Sequence, residues 1–113
     1  MASPQTKSDI PPGTLEMLVL RTLDRHGELH GFEIAEAIAR VSADVLLVEE
    51  GSLYPALQRM LLKDWVKAEW GRTDENRRAR YYTLTAIGRR ELGRELASYR
   101  RVADAIARII QPA

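Results

Sequence analysis

The stretch from Glu50 to Leu84, EGSLYPALQRMLLKDWVKAEWGRTDENRRARYYTL, holds a helical repeat followed by two alternating segments. Leu53, Leu57, Met60 and Leu61 fall within about 100° of one another on a helix and define an inner face. Ser52, Pro55, Gln58, Arg59 and Leu62 then point outward, with Tyr54 on the flank and Lys63 at the end. A proline is tolerated in a first helical turn, where backbone N–H groups have no helical partner, so Pro55 predicts a start near Ser52. Val66, Ala68 and Trp70 alternate with Lys67 and Glu69, as in a half-buried strand. Arg80, Tyr82 and Leu84 alternate with Tyr81 and Thr83 in a second strand. The polar link from Gly71 to Ala79 pairs the two as a hairpin and brings Arg72, Arg77, Arg78 and Arg80 to its tip. A helix with a polar outer face followed by a basic hairpin is the layout of a winged helix-turn-helix module. Such a helix can lie in a major groove of DNA while the hairpin reaches the adjacent backbone.

The flanking sequence fits that layout. A first helix is expected from about Thr14 to Arg25, capped by Thr14 behind Pro11, Pro12 and Gly13. Its stripe of Leu15, Leu18, Val19, Thr22 and Leu23, widened by Met17 and Leu20, is broad enough for burial on two sides. One side can face the domain and the other a partner chain. Gly27 ends it, and a second helix is expected from about His30 to Val41, with Phe32, Ala35, Ile38 and Ala39 buried and Glu33, Glu36 and Arg40 outward. Val45 to Val48 is expected as a very short strand. Thr85 caps a last helix to about Ile110, whose apolar positions Leu92, Leu96, Tyr99, Ala103, Ile106 and Ile110 step 4-3-4-3-4 like a heptad seam. The expected fold is therefore mainly α with a small β-hairpin, a winged helix-turn-helix plus a long C-terminal dimerisation helix. It divides into a loose arm (1–12), a winged-helix domain (13–85) and the dimerisation helix (86–113).

Composition narrows the function classes. With 113 residues, 45% hydrophobic and 29% charged, the chain is ordinary single-domain globular material. It has no cysteine, so disulfides and thiolate metal sites are excluded. Apolar runs such as Val45 to Val48 are too short for a bilayer, and the N-terminus lacks the apolar core of a signal peptide. A cytoplasmic protein without a membrane partner is expected. The net charge of +1 conceals an asymmetry: residues 1–50 carry 4 Lys/Arg against 9 Asp/Glu, and residues 51–113 carry 13 against 7. The basic half is the half assigned to DNA, and the local patch governs attraction to a polyanion.

Residue chemistry supports a reading surface. The hydroxyls of Ser52 and Tyr54 suit phosphate oxygens near a helix N-terminus, and Gln58 and Arg59 can reach base edges in a major groove. Arginine binds phosphate as a fork, which favours Arg77 and Arg78, whereas Asp74 and Glu75 can neutralise Arg72. The bland alternative is a solvated charged loop held by internal ion pairs. A last helix longer than the body can cover points to self-association through Leu15, Leu18 and the helix seam, placing two reading helices on a palindromic site. His26 and His30 lack companions for a metal site, and no nucleophile, base and orienter stand together, so neither cofactor nor catalysis is expected. A winged-helix protein–protein adaptor docking through the last helix is the competing reading; it would not need the basic face from Ser52 to Lys63 and the wing.

These residues resemble the PadR family of bacterial transcriptional regulators. The likeness rests on Gly13-Thr14-Leu15, on His30-Gly31-Phe32-Glu33-Ile34, on Glu50 to Leu57, on Trp65-Val66, and on Arg80-Tyr81-Tyr82-Thr83-Leu84-Thr85 with Gly88. It spans about residues 13 to 110 and is most like the short, acidobacterial-type branch with one C-terminal helix. The resemblance implies a homodimeric repressor on a palindromic operator. It maps Ser52, Tyr54 and Pro55 onto reading-helix contacts and Arg77-Arg78 onto the wing. Some relatives release DNA on binding small aromatic effectors; the last helix here has only Tyr99 as an aromatic, so a small-molecule effector stays possible but its identity is not carried over.

Overall fold

The computed structural model describes residues 10–112, so most of the expected 1–12 arm lies outside the described residues. Four helices and three short strands follow in the order α1 (Leu15–His26), β1 (Leu29–His30), α2 (Gly31–Val41), α3 (Glu50–Leu62), β2 (Val66–Arg72), β3 (Arg78–Leu84) and α4 (Ala86–Ile110). This is a winged helix-turn-helix with a long C-terminal helix. The strands form one antiparallel sheet in the order β1-β3-β2.

Local chemistry sets the helix ends. Gly27 closes α1 at φ 82°, a left-handed conformation that glycine adopts freely, and its N–H donates to the Leu23 carbonyl at 2.8 Å. Thr14 sits at the start of α1 but donates its hydroxyl to the Pro11 carbonyl at 2.7 Å instead of capping the helix. His30 opens α2 through a capping box: its Nδ1 accepts from the Glu33 N–H at 3.4 Å, and Glu33 Oε1 accepts from the His30 N–H at 3.1 Å. Thr85 caps α4, accepting the Gly88 N–H at 3.0 Å while its hydroxyl donates to the Trp65 carbonyl at 3.0 Å.

The core gathers Val19, Leu20 and Leu23 of α1, Ile34 of α2, and Leu53, Leu57 and Met60 of α3, and is closed by Val66, Tyr82 and Leu84 of the sheet. Only Gly88 and Leu92 of α4 are buried, so that helix is rooted in the body by its first two turns and then leaves it. The resulting shape is elongated, 55 × 37 × 22 Å.

Besides Thr14, the structure departs from the sequence-based expectations at five places. Val45 to Val48 is an extended loop with a single bridge at Leu46, and the third strand is Leu29–His30. Ala43 and Asp44 take φ of 53° and 63° and turn the chain out of α2, and the Leu46 N–H bonds to Ser42 Oγ at 3.0 Å instead of a ladder. Phe32 is 65% exposed, because α2 turns Ile34, Ala37 and Ile38 inward instead. The helix α3 starts at Glu50, so Pro55 falls in its second turn and leaves the Gly51 carbonyl without a helical N–H partner. Trp70 is 60% exposed although the β2 alternation holds, because the strand outruns the core. Leu92, expected at a partner interface, is 3% exposed within its own protomer.

Candidate nucleic-acid interface

The outward face of α3 carries Ser52, Tyr54, Pro55, Gln58, Arg59 and Leu62, all exposed, with Lys63 exposed just beyond. They do not act alike. The Tyr54 ring lies across the first turn of α2, where a β-carbon at Gly31 would stand 2.8 Å from both its Cε1 and its hydroxyl oxygen. Only a glycine lets the tyrosine cross there. Arg59 turns toward α1 and donates from Nε to Glu16 Oε2 at 3.3 Å. Lys63 places its ammonium 4.5 Å from the Trp65 ring centroid. Those two cations are engaged with the body, whereas Ser52, Pro55 and Gln58 face outward at the N-terminal and middle turns.

The wing is a braced hairpin. Its tip closes through Thr73 N–H to the Arg77 carbonyl at 2.8 Å and Asn76 N–H to the Thr73 carbonyl at 2.8 Å, with Asn76 at φ 62°. The Arg77 N–H adds a bond to Thr73 Oγ1 at 3.1 Å. Arg72 donates to the Asn76 carbonyl at 3.2 Å, which ties its guanidinium to the turn. Tyr81 lies against Gly71 and donates its hydroxyl to the Arg72 carbonyl at 3.1 Å. Loss of solvent, then the charges of Glu33, Asp74 and Glu28, hold that phenol above its ordinary value of 10.0, so it stays a donor.

Between the wing and the starts of α2 and α3 lies a groove of about 830 Å³. Tyr54 and Phe32 line it opposite Trp70, Arg77, Arg78 and Arg80, and the carboxylates of Glu33, Glu36, Asp74 and Glu75 border it as well. The Arg78 guanidinium stacks 4.3 Å from the Trp70 ring centroid and that of Arg80 lies 6.0 Å away. Four of the expected site residues, Tyr54, Arg77, Arg78 and Arg80, thus border one concavity, together with Phe32 and Trp70, two aromatics whose sequence pattern points inward. Arg72 opens instead onto a smaller depression with Glu28 and Glu69.

The helix seam continues past the body as an exposed apolar strip of Tyr99, Val102, Ile106, Ile109 and Ile110, with Ala103 half-buried. Leu15, Leu18 and Leu96 are half-buried against the protomer's own core. Among the described residues no cluster of three His, Cys, Asp or Glu is placed to hold a metal, and no helix is long and apolar enough to cross a membrane.

Residues 19–94 match the model of the transcriptional regulator PadR-like family. The chain belongs to that family. It is a PadR-like transcriptional regulator, not an enzyme. Its structure is similar to a PadR-like transcription factor from Bacteroides fragilis (28% identity, TM-score 0.68, covering 86% of this chain and 90% of that one). It is also similar to a transcriptional regulator from Clostridium thermocellum (21% identity, TM-score 0.79, 88% and 95% covered). A third likeness is to Bacillus subtilis PadR in complex with operator DNA (24% identity, TM-score 0.65, 74% of this chain and 47% of that one).

Proposed function

We propose that this PadR-like protein is a cytoplasmic, DNA-binding repressor that acts as a homodimer on a palindromic operator. In this reading α3 lies in the major groove, with Gln58 toward base edges and Ser52, Tyr54 and Pro55 toward the backbone. The wing meets the neighbouring backbone or minor groove through Arg77, Arg78 and Arg80. Arg59 and Lys63 contribute as charges set back beside α1 and α4, and Arg72 serves chiefly the wing's own turn. The observation that carries the reading is the shared groove, where the start of α3 and three wing arginines face each other. The operator-bound state of Bacillus subtilis PadR, which has a similar fold, supports the same use of this one. The exposed strip of α4, with Leu15, Leu18 and Leu96 at its root, is the surface for the second copy. An apolar strip of that length left open to water on a small protein marks a partner.

The test is fluorescence-anisotropy binding to the protein's own upstream DNA against a scrambled duplex, titrated with salt, with stoichiometry taken at saturation. Selective binding with two protomers per site is expected. Equal weak binding to both duplexes and to a panel of genomic fragments would replace this reading with a protein–protein adaptor role.

A further inference from the structure

The strand register shows how Trp70 comes to be uncovered. Across the hairpin, Val66 pairs with Leu84, Ala68 with Tyr82, Trp70 with Arg80 and Arg72 with Arg78. Because strand side chains alternate, Val66, Ala68, Trp70, Arg78, Arg80, Tyr82 and Leu84 share one face of the sheet, while Arg72 turns to the Asn76 carbonyl at the tip. That face begins in the core, where Val66, Tyr82 and Leu84 are 2%, 5% and 8% exposed, and ends outside it at Trp70. The core-facing side of the wing therefore runs beyond the core, and its uncovered end looks into the groove opposite Tyr54 and Phe32.

The ion pairs of the described residues add a second observation. They join Arg21 and Arg89 to Asp24, Arg59 to Glu16 and Arg94 to Glu91, and none involves a wing arginine. Asp74 and Glu75 lie at the wing tip, yet Arg78 takes an aromatic face as its neighbour. The difference matters chemically. A carboxylate would occupy the N–H fork and would have to be displaced by phosphate. A ring beneath the guanidinium plane fixes its orientation and leaves the in-plane donors open.

We propose that Trp70 is the positioning residue of the wing: its indole holds Arg78 as an open fork at the groove mouth and offers the passing DNA strand an apolar wall. This rests on the DNA-binding reading above and names the residue that prepares its wing contacts. Preorganisation of this kind raises affinity by lowering the ordering cost of binding, without adding a charge.

The experiment is a double-mutant cycle of Trp70→Ala and Arg78→Ala, with Trp70→Phe and Trp70→Tyr alongside, using anisotropy on the upstream duplex and on an unrelated duplex over a salt series. Thermal melts of each variant accompany it. Trp70→Ala should melt like the native protein and bind both duplexes about tenfold more weakly with the same salt slope, since no charge is lost. Arg78→Ala should lower the slope by about one, and should cost less in the Trp70→Ala background than in the native one. The aromatic replacements should restore most of the affinity, and they carry the test if the alanine variant fails to fold. Native-like binding by Trp70→Ala, additive effects in the cycle, or no recovery with Phe and Tyr would each overturn the proposal while leaving DNA binding intact. Failure of the native protein and of Arg77→Ala to differ on any duplex would remove the DNA reading itself.

Discussion

Gly88 illustrates how one residue can matter through what it lacks. It sits in the first turn of α4, and a methyl group there would overlap the Trp65 carbonyl oxygen and stand 2.8 Å from Leu84 Cδ1. The carbonyl is backbone, already receiving the Thr85 N–H at 3.0 Å, so it cannot swing aside. Gly88→Ala should therefore lose about 1–3 kcal/mol of stability despite alanine's better helix propensity, read from urea unfolding. A native-like midpoint would mean that α4 tolerates a different seating. Gly31 meets a softer neighbour, since its absent side chain is replaced by the tip of Tyr54. Gly31→Ala should push the ring off α2 and weaken DNA binding several-fold with the melting temperature nearly unchanged. Unaltered affinity would remove Tyr54 from the contact surface. Both glycines are visible in the sequence, but what each one accommodates depends on a residue more than twenty positions away.

At the scale of elements, the root of α4 carries a second feature that the sequence reading did not single out. Glu91 and Glu95, one turn apart, share a hydrogen bond. Burial, then the hydrogen bond and charge of Glu91, then the charge of Glu16 on α1 push Glu95 up to about 7, against the pull of Lys63. Burial also acts on Glu91, but the bonds from Glu95 and Arg94 and the charges of Arg94 and Lys63 prevail and lower it. A carboxyl raised from 4.5 to about 7 keeps its proton in the folded chain after the unfolded chain has lost it. Folding stability from this group therefore falls as pH rises from about 4.5 to about 7, opposite to a salt-bridged carboxylate. Glu95→Gln, which mimics the protonated form, should be more stable than the native chain at pH 8, by about 1 kcal/mol because most of the pair remains screened by water, and equal to it at pH 4. A difference that is the same at both pH values would rule out the titration.

The elements also show where sequence was sufficient. The inner face of α3 was legible because Leu53, Leu57 and Met60 are large, apolar and at helical spacing, and all three are at most 1% exposed. Ala56, fully buried on the same helix, was missed because a small residue carries little pattern. The β2 alternation identifies the correct face at Trp70 but does not give the edge of the core, which depends on how far the helices cover the sheet. Hydrophobicity alone points Phe32 inward, yet the capping box at His30 sets the phase of α2 and turns it out. The groove joins α2, α3 and the wing, so its aromatic wall is a property of their packing and not of any one segment.

For the whole molecule, a solvent-facing strip on α4 should determine the assembly state. Ile106 is 51% exposed and belongs to no protomer core, so Ile106→Asp should leave the melt of the isolated fold largely intact. It should convert a dimer to monomer by light scattering and weaken binding to a two-half-site duplex far more than to a single half-site. A variant that remains dimeric would place the second copy elsewhere.

The meeting of Gly88 with the Trp65 carbonyl has a geometric consequence for that assembly. At about 1.5 Å per residue α4 is a rod of about 37 Å, and its fulcrum is the glycine. With two copies joined through these rods, a tilt of about 10° at the fulcrum carries the far end through about 6 Å, close to two base-pair steps. The separation between two reading helices, and with it the spacing of operator half-sites that the protein accepts, is then gauged by how closely one backbone can rest on another.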